Sequence, residues 1–484
     1  MQVLWLALTF DIHAFIHCDG SVDLMLVLLG FRLIVVLFDH VRIPRENMLM
    51  RFAKVTKEGK YIQPVHDKLS YGSMVTLRVS LINDAGWQLG RAVTVAVRYT
   101  TVRRQFNTPP NPSSSSSSPL DALETQVIAY SSVRARLFPF IALAYALIVA
   151  STTVKDMFEQ MSAELADEQT NLLAQVHALT CGLKSWGTRK AAEGIEECRK
   201  AMGGHGYSAF SGISELFANY IPSNTYEGTR TLSRSSDYLK PTPACFQNKQ
   251  PHFDDIPRFL LKELQKATTG SETLTDLSNY INRAIKTSGP TDLSRTSLLD
   301  PHTQLTLFEV RATRVVMDLA QQVRTGRDWA DLNVECWNAS VAHTEYVILK
   351  CFMEKIEGLE KDPNVEGMEV VALKRTLKKL CHLYALSTVS SALASFLSTQ
   401  TLQPDHVQSV NDHLRDLLKD TAPDAVPMTD AFAFSDYYLN SALGRYDGQS
   451  YLGLWDAAQA DPVNSEAWKT KAYEVGLVWA VWVV

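Results

Sequence analysis

The chain has 484 residues, of which 46% are hydrophobic, and a formal net charge of −5 with a pI near 6.2. This length exceeds one ordinary hydrophobic core, so two or three domains are expected. The acidic balance argues against a nucleic-acid binder, because such proteins carry a strongly basic face. The seven cysteines are scattered without paired Cys/His spacing. We therefore expect free thiols and no metal site.

The start of the chain is apolar but interrupted by charge. Residues 24–38 form an apolar run with Arg32 near its middle. The run is shorter than the roughly 20 residues that a membrane-spanning helix needs, so we expect no membrane span. A buried strand over Phe31–Phe38 is the prediction. A mistranslated start and a membrane anchor are the alternatives.

From Tyr71 onward, apolar residues recur at helical spacing. In the central part of the chain the predicted helices are Tyr71–Arg98, Leu137–Glu164 and Asn171–Ala201. In the C-terminal part they are Leu305–Arg324, Ser340–Gly358 and Leu377–Leu397. The predicted fold class is mainly α, with two helical bundles and a short β remnant at the N-terminus.

The most informative segment is residues 198–228, CRKAMGGHGYSAFSGISELFANYIPSNTYEG. It joins a glycine-rich turn, Gly203-Gly204-His205-Gly206, to a single carboxylate, Glu227. Glycine has no Cβ, so backbone N–H groups of the turn can approach a phosphate. A carboxylate held in a dry pocket can remove a proton. Taken singly, a simple turn and a surface glutamate explain these residues; together they predict an enzyme that binds a phosphate-bearing cofactor and abstracts a proton.

This segment resembles the flavin and catalytic-base region of the peroxisomal acyl-CoA oxidases. Three other segments agree with that family in the family's own order: Phe38–Leu49 (FDHVRIPRENML), Tyr99–Phe106 (YTTVRRQF) and Leu439–Gly448 (LNSALGRYDG). The resemblance covers roughly residues 38–240 and 300–460. It implies the two C-terminal helical domains of that family in a chain that is incomplete at its N-terminus.

The resemblance also implies the regions of the chain. Residues 1–50 would hold an atypical N-terminus and the end of a β-domain, and residues 51–240 a central helical bundle with the flavin and catalytic motifs. Residues 241–300 would form a linker and residues 301–484 the C-terminal helical domain. Six consecutive serines among prolines predict a disordered loop over 107–120.

The implied activity is the FAD-dependent oxidation of acyl-CoA to trans-2-enoyl-CoA, with O2 reduced to H2O2, in fatty acid β-oxidation. Glu227 would be the catalytic base, and its backbone N–H would hydrogen-bond the thioester oxygen. Arg103 would pair with the flavin pyrophosphate. The turn Gly203-Gly204-His205-Gly206 would reach the flavin phosphates from a neighbouring subunit, and Thr229 would contact adenine. A homodimer in the peroxisome is implied, although the chain closes without an SKL-type address.

Two departures from the family pattern keep a second interpretation open. Asn107 follows YTTVRRQF where the family usually has glycine, and Ser131 takes a position at which many related flavin dehydrogenases present a glutamine. Much of the flavin and acyl-CoA pocket of the family lies in domains that this sequence does not match. The alternative is therefore a catalytically inactive remnant or an interaction protein.

Overall fold

The computed structural model describes residues 3–6, 25–29, 31–37, 42, 44–48, 50, 53–63, 72–106, 124–166, 169, 172–226, 255–270, 274–286, 298–359 and 368–464. The chain divides into two compact units, residues 1–77 and 78–484. The predicted loop over 107–120 and much of the predicted linker over 241–300 lie outside the described residues, and the predicted domain boundaries stay predictions.

The first unit contains two small antiparallel sheets. The strands are β1 (Val3–Leu6), β2 (Met25–Leu29), β3 (Phe31–Leu37), β4 (Lys54–Val55) and β5 (Tyr61–Ile62). One sheet has the order β1-β3-β2, and β4 pairs with β5 in the other. Strand β3, with the sequence FRLIVVL, is rich in the β-branched and aromatic residues that favour strands. It confirms the strand predicted over Phe31–Phe38.

The remainder of the described chain is helical, which confirms the predicted fold class. The helices that precede residue 300 are α1 (Gly72–Val102), α2 (Ser131–Ala166), α3 (Leu173–Ala201), α4 (Gly204–Tyr207), α5 (Ile213–Tyr220), α6 (Asp255–Thr269) and α7 (Tyr280–Ala284). Those that follow are α8 (Pro301–Arg324), α9 (Asn333–Gly358), α10 (Met368–Ser391), α11 (Leu393–Ser398), α12 (His406–Thr421), α13 (Ala425–Asp430), α14 (Asp436–Leu439) and α15 (Ser450–Ala460). Short 3-10 helices lie at Arg45–Asn47, Val127–Ala129, Ala209–Ser211, Ile221–Asn224, Trp329–Leu332, Ala422–Asp424 and Pro462–Asn464.

The helix boundaries differ from the predicted ones for local reasons. Helix α8 begins at Pro301, ahead of its first apolar repeat, because the Asp300 side chain accepts a hydrogen bond from the Thr303 N–H at 2.8 Å. Helix α2 begins before its predicted start and contains Pro139. The single helix predicted over Leu377–Leu397 is instead the pair α10 and α11, since the chain leaves helical geometry at Ala392.

One continuous hydrophobic core runs through the second unit. Helix α2 lies at its centre, packed against α3, α9 and α10, while α8 packs along α9. Phe138, Ile141 and Leu147 on α2 are fully buried. Among the described residues, the stretch 131–165 is long and apolar enough to cross a membrane, and 61% of its most apolar window is buried inside the protein. That burial is typical of a core helix.

Helix α3, which leads into the glycine-rich turn, is fixed to the C-terminal helices by buried polar contacts. Trp186 on α3 donates its indole N–H to a carboxylate oxygen of Glu345 on α9 at 3.2 Å. The other oxygen of Glu345 pairs with Arg311 on α8 at 2.5 Å, and both side chains are almost completely buried. A buried ion pair persists only when its hydrogen-bonding capacity is met. This network therefore sets the position of α3 relative to α8 and α9.

Candidate functional site

The end of α1 carries the arginine that the sequence assigns to the cofactor. Arg103 follows the last turn of α1, where its N–H still donates to the Tyr99 carbonyl at 2.8 Å. Its Nη1 donates to the hydroxyl of Tyr451 on α15 at 2.9 Å. This hydrogen bond is the main reason that the pKa of Arg103 is raised. A helix from the far end of the sequence therefore orients the Arg103 guanidinium.

The adjacent arginine has a different environment. Arg104 is exposed and donates to the Glu124 backbone carbonyl at 2.9 Å. It also forms an isolated bridge with Gln126, which joins the two described ends of the serine-rich segment. Ser131 is the exposed first residue of α2.

The glycine-rich turn begins where α3 ends, and its glycines have separate structural reasons. Gly203 has φ +65°, a conformation that residues with a Cβ rarely adopt. A Cβ on Gly206 would lie 1.9 Å from the Arg199 carbonyl oxygen, so this glycine permits the turn to pack on α3. A Cβ on Gly204 would meet no atom within 4 Å. Packing therefore explains Gly206, whereas the open space at Gly204 leaves room for a ligand.

His205 joins this turn to the end of α1. Its ring meets that of Tyr99 edge to face, with the centroids 5.8 Å apart and an interplanar angle of 63°. Burial raises the pKa of Tyr99, and the nearby Tyr451 raises it further. Tyr99 thus contacts both halves of the site. The structure brings together Arg103 and the turn residues, which are about 100 positions apart in the sequence.

The C-terminal signature 439–448 packs against the same region. The Ala442 N–H donates to the Phe210 carbonyl at 2.9 Å, just beyond the glycine-rich turn. A Cβ on Gly212 would lie 2.4 Å from the Asn440 carbonyl oxygen, and Asn440 itself is in the left-handed region with φ +47°. This segment is a turn after a helix, and it holds the glycine-rich turn in place.

Arg98 anchors the signature to α1. The guanidinium is 6% exposed and lies 2.8 Å from Asp430, with a second carboxylate, Asp436, at 3.4 Å. It also donates to the Gly444 carbonyl at 2.9 Å and lies over the Tyr446 ring, 5.2 Å from its centroid. A buried arginine is stable only when its charge is paired in this way.

The residues that precede the predicted base are described, whereas Glu227, Gly228 and Thr229 lie outside the described residues, as does Asn107. The 3-10 helix Ile221–Asn224 leads into Tyr226, whose N–H donates to the Pro222 carbonyl at 3.2 Å. From α3, the buried Nζ of Lys184 donates to the Tyr226 carbonyl oxygen. The chain is therefore held by α3 up to the residue before Glu227.

Sequence reasoning missed three residues of this site: Tyr99, Lys184 and Tyr451. Tyr451 carries no pattern that links it to Arg103, because the two residues meet only in the folded chain. Tyr99 stands in the quoted segment Tyr99–Phe106, but nothing in that segment predicts its contact with His205. Lys184 did leave a signal, since it lies between Leu183 and Trp186 in the predicted helix Asn171–Ala201. A lysine at such a position is rare unless its amino group is partnered.

A surface groove of about 660 Å³ lies between the 3-10 helix Ala209–Ser211 and α14. It is lined by Ala209, Phe210, Asp436, Tyr437, Tyr438, Asn440, Ser441, Ala442 and Ala457. Aromatic side chains on the neighbouring segments are strongly exposed: Tyr207 78%, Tyr437 95%, Tyr446 72% and Trp455 63%. We call these four residues the aromatic patch.

Among the described residues, no group of three or more His, Cys, Asp or Glu side chains could hold a metal ion.

Comparisons with known proteins identify the family of the chain. The family model described as "Acyl-CoA oxidase, C-alpha1 domain" matches residues 71–233, and the model "Acyl-CoA oxidase" matches residues 300–475. Peroxisomal acyl-coenzyme A oxidase 1 of Arabidopsis thaliana is 37% identical over 437 residues, which is 88% of this chain and 60% of that protein.

Comparison with solved structures identifies the same family. Acyl-CoA oxidase 1 of Arabidopsis thaliana matches with a TM-score of 0.77 at 36% identity, covering 90% of this chain and 62% of the other. Acyl-CoA oxidase-1 of Caenorhabditis elegans, complexed with FAD and ATP, matches with a TM-score of 0.74 at 29% identity, covering 92% and 62%. The chain spans about 60% of the length of the curated relatives that it matches. With two acyl-CoA oxidase family models matched and a shared fold, the chain belongs to the acyl-CoA oxidase family.

Proposed function

We propose that this chain carries the flavin-binding and proton-abstracting part of an acyl-CoA oxidase. The reaction converts acyl-CoA into trans-2-enoyl-CoA: the α-carbon loses a proton, the β-carbon loses a hydride equivalent, and O2 finally becomes H2O2. The observation that carries the proposal is the Tyr99–His205 contact, because it places the glycine-rich turn beside Arg103. The proposal includes a role in peroxisomal fatty acid β-oxidation, in line with the names of the relatives.

The residues present fit FAD as the cofactor. Arg103 presents a guanidinium, which suits the oxygens of a pyrophosphate, and Tyr451 fixes its direction. Gly204 leaves open space beside the turn backbone, so a phosphate can approach it. When bound, FAD supplies the acceptor for the two electrons and the β-hydrogen. In this proposal Arg103, Gly203, Gly204, His205 and Gly206 bind the phosphates, and Thr229 contacts adenine.

Glu227 is the proposed base. A carboxylate is far too weak a base for an ordinary thioester α-proton, so the negative charge that develops on the thioester oxygen must be stabilised. Exclusion of water strengthens the carboxylate further. Glu227 would take the α-proton, while its own backbone N–H would donate to the thioester oxygen.

A homodimer completes the proposal. Tyr207 of the aromatic patch directly follows the glycine-rich turn, and exposed aromatic side chains of this kind are typical of protein interfaces. Because Arg103 and the turn lie on one surface of the same chain, a second copy on this face would bring both of its own to the neighbouring flavin site. Burial of about 1,200–2,000 Å² is the usual size of a stable interface.

Titration of the purified chain with FAD, followed by quenching of flavin fluorescence, tests the proposed cofactor site. Arg103→Met removes the phosphate partner and should weaken FAD binding by at least tenfold, the typical effect of one charge-assisted hydrogen bond. Arg104→Met is the matched control, because Arg104 is exposed and bonds a backbone carbonyl. Equal FAD affinities for both variants, or no binding by the parent chain, would contradict the site.

A second candidate is a non-catalytic member of the family. It is favoured by Ser131, which is exposed at the start of α2 and offers a short hydroxyl where related flavin enzymes present a longer amide. A chain of this kind would stay colourless after it is mixed with FAD and the unbound FAD is removed by desalting. The flavin absorbance spectrum therefore separates the two candidates.

A further inference from the structure

A cavity of about 290 Å³ is enclosed by the N-terminal end of α8 and by α9 and α10. Its volume is close to the roughly 300 Å³ at which small-molecule sites begin. Arg103 and the glycine-rich turn lie elsewhere, at the ends of α1 and α3. The cavity is therefore separate from the residues described above for the flavin phosphates.

The most deeply buried residues that line the cavity are apolar. Met353 and Ile356 on α9 are 6% and 4% exposed, and Cys381 on α10 is 3% exposed. Apolar surface of a ligand gains free energy when it leaves water, so this part of the cavity suits a hydrocarbon group.

Two lysines line the cavity from α10. Lys374 and Lys378 are four residues apart, so their side chains lie on the same face of the helix. Lys378 is exposed and forms no ion pair with any residue that the structure describes. An anionic group of a ligand would find its partners on this face.

Two carboxylates also line the cavity, but one of them is already engaged by the end of α8. Asp300 accepts hydrogen bonds from the N–H and the hydroxyl of Thr303, each at 2.8 Å. The bond from the N–H is the main reason that the pKa of Asp300 is lowered. Since the positive end of the helix offsets the charge of Asp300, only Glu357 opposes the two lysines, and a surplus of one positive charge remains.

His382 contributes an acceptor and not a charge. Gln304 donates its amide to the Leu298 carbonyl at 2.8 Å, so its Oε1 lies 2.9 Å from the Nδ1 of His382. An amide oxygen only accepts, which places the ring proton on Nδ1 and leaves a lone pair on Nε2. Burial lowers the pKa of His382 and keeps the ring neutral. A lone pair in the cavity disfavours a second anionic group on the ligand.

We propose that this cavity binds a monocarboxylate on a short apolar chain. The carboxylate pairs with Lys374 and Lys378, and the chain lies on Met353 and Ile356. One surplus positive charge matches one carboxylate, whereas the second negative charge of a phosphate would be left without a partner. The inference does not depend on the proposed function.

Octanoate is the probe, and the methyl group of Met353 reports its binding. The purified chain is labelled with [methyl-13C]methionine, and the signal that Met353→Leu removes identifies this residue. Added octanoate should shift the signal saturably in the parent chain. Methyl octanoate has the same chain without the charge and should bind at least fivefold more weakly. Inorganic phosphate should not displace octanoate.

Variants of α10 test the role of charge. Lys378→Met should weaken octanoate binding about fivefold, the upper effect of a partly exposed ion pair, and Lys378→Arg should retain the parent affinity. Arg375→Met is the matched control and should bind as the parent does, because Arg375 is exposed on the same helix but does not line the cavity.

The outcomes separate the site from its ligand class. A Met353 signal that octanoate leaves unmoved overturns the site. Equal octanoate affinities of the parent and Lys378→Met overturn the carboxylate assignment. Equal binding of octanoate and its methyl ester, or displacement of octanoate by phosphate, overturns that assignment as well.

Discussion

The rings of Tyr99 and His205 meet edge to face with 5.8 Å between their centroids. Tyr99 is one helical turn before Arg103 on α1, and His205 is the third residue of the glycine-rich turn. Through this contact, the two segments that the sequence assigns separately to a flavin pyrophosphate become one surface. The Arg103–Tyr451 hydrogen bond adds α15 to the same surface.

Two glycines of the turn should respond in opposite ways to alanine. Gly206→Ala places a Cβ 1.9 Å from the Arg199 carbonyl oxygen, so it should destabilise the protein by about 1–3 kcal/mol or more. Gly204→Ala meets no atom and should leave stability unchanged or slightly higher. Its methyl group would instead occupy the space proposed for a phosphate, so FAD affinity should fall. Urea unfolding checks the predicted stabilities, and FAD titration checks the predicted loss of affinity. A Gly204→Ala variant with unaltered FAD affinity would contradict the phosphate site.

The buried side chain of His343 should make the stability of the protein sensitive to acid. Its Nδ1 lies 3.1 Å from the Tyr280 hydroxyl, and complete burial lowers the pKa of His343 to about 4. The unfolded chain binds the proton near pH 6.5, so stability from this group is present above that pH and is lost as pH falls toward 4. Between pH 7 and pH 5 the loss should be about 2 kcal/mol. His343→Gln should remove this part of the pH dependence of the free energy of unfolding, which urea unfolding at pH 7 and pH 5 measures. An equal loss of stability between these two pH values in parent and variant would contradict the prediction.

The buried ion pair of Arg98 should contribute far more to the free energy of unfolding than an exposed ion pair does. Arg98→Met leaves Asp430 without its buried partner and should destabilise the protein by about 2–4 kcal/mol. Lys155→Met is the control, because its pair with Glu159 is solvent-exposed at 3.8 Å and should contribute little. Chemical denaturation of the two variants gives the comparison, and similar unfolding midpoints would show that Arg98 does not anchor the C-terminal signature.

The aromatic patch should mediate self-association. Sedimentation velocity of the parent chain should show a dimer at micromolar concentration. Trp455→Glu puts a charge into the patch, where Trp455 is 63% exposed, and should shift the protein toward monomer. Val371→Glu is the control, since Val371 is 70% exposed on α10, apart from the patch in sequence. A parent that sediments as a monomer, or equal effects of both substitutions, would place the dimer surface elsewhere.

The sequence predicted the long helices well because their apolar repeats are strong, as in α1 and α3. It placed the boundaries less well where a local contact decides them, as at Asp300, which caps α8. Within the site, Gly203, Gly204 and Gly206 became candidates because of their spacing before Glu227, and Arg103 because its segment resembles that of a known family. Tyr451 could not, since its contact with Arg103 depends on the fold of the whole C-terminal part. The role of Glu227 stays a prediction.

The central claim is that Glu227 removes the substrate proton, and peroxide release tests it most directly. The chain is supplied with FAD and a long-chain acyl-CoA in air, and the rate is compared with that of Glu227→Gln, which keeps the shape and removes the base. Loss of a general base typically lowers the rate by 10²–10⁴, so we expect activity in the parent and at most about one hundredth of it in the variant. A parent that releases no peroxide, or a variant that retains more than about a tenth of the parent rate, would contradict the assignment.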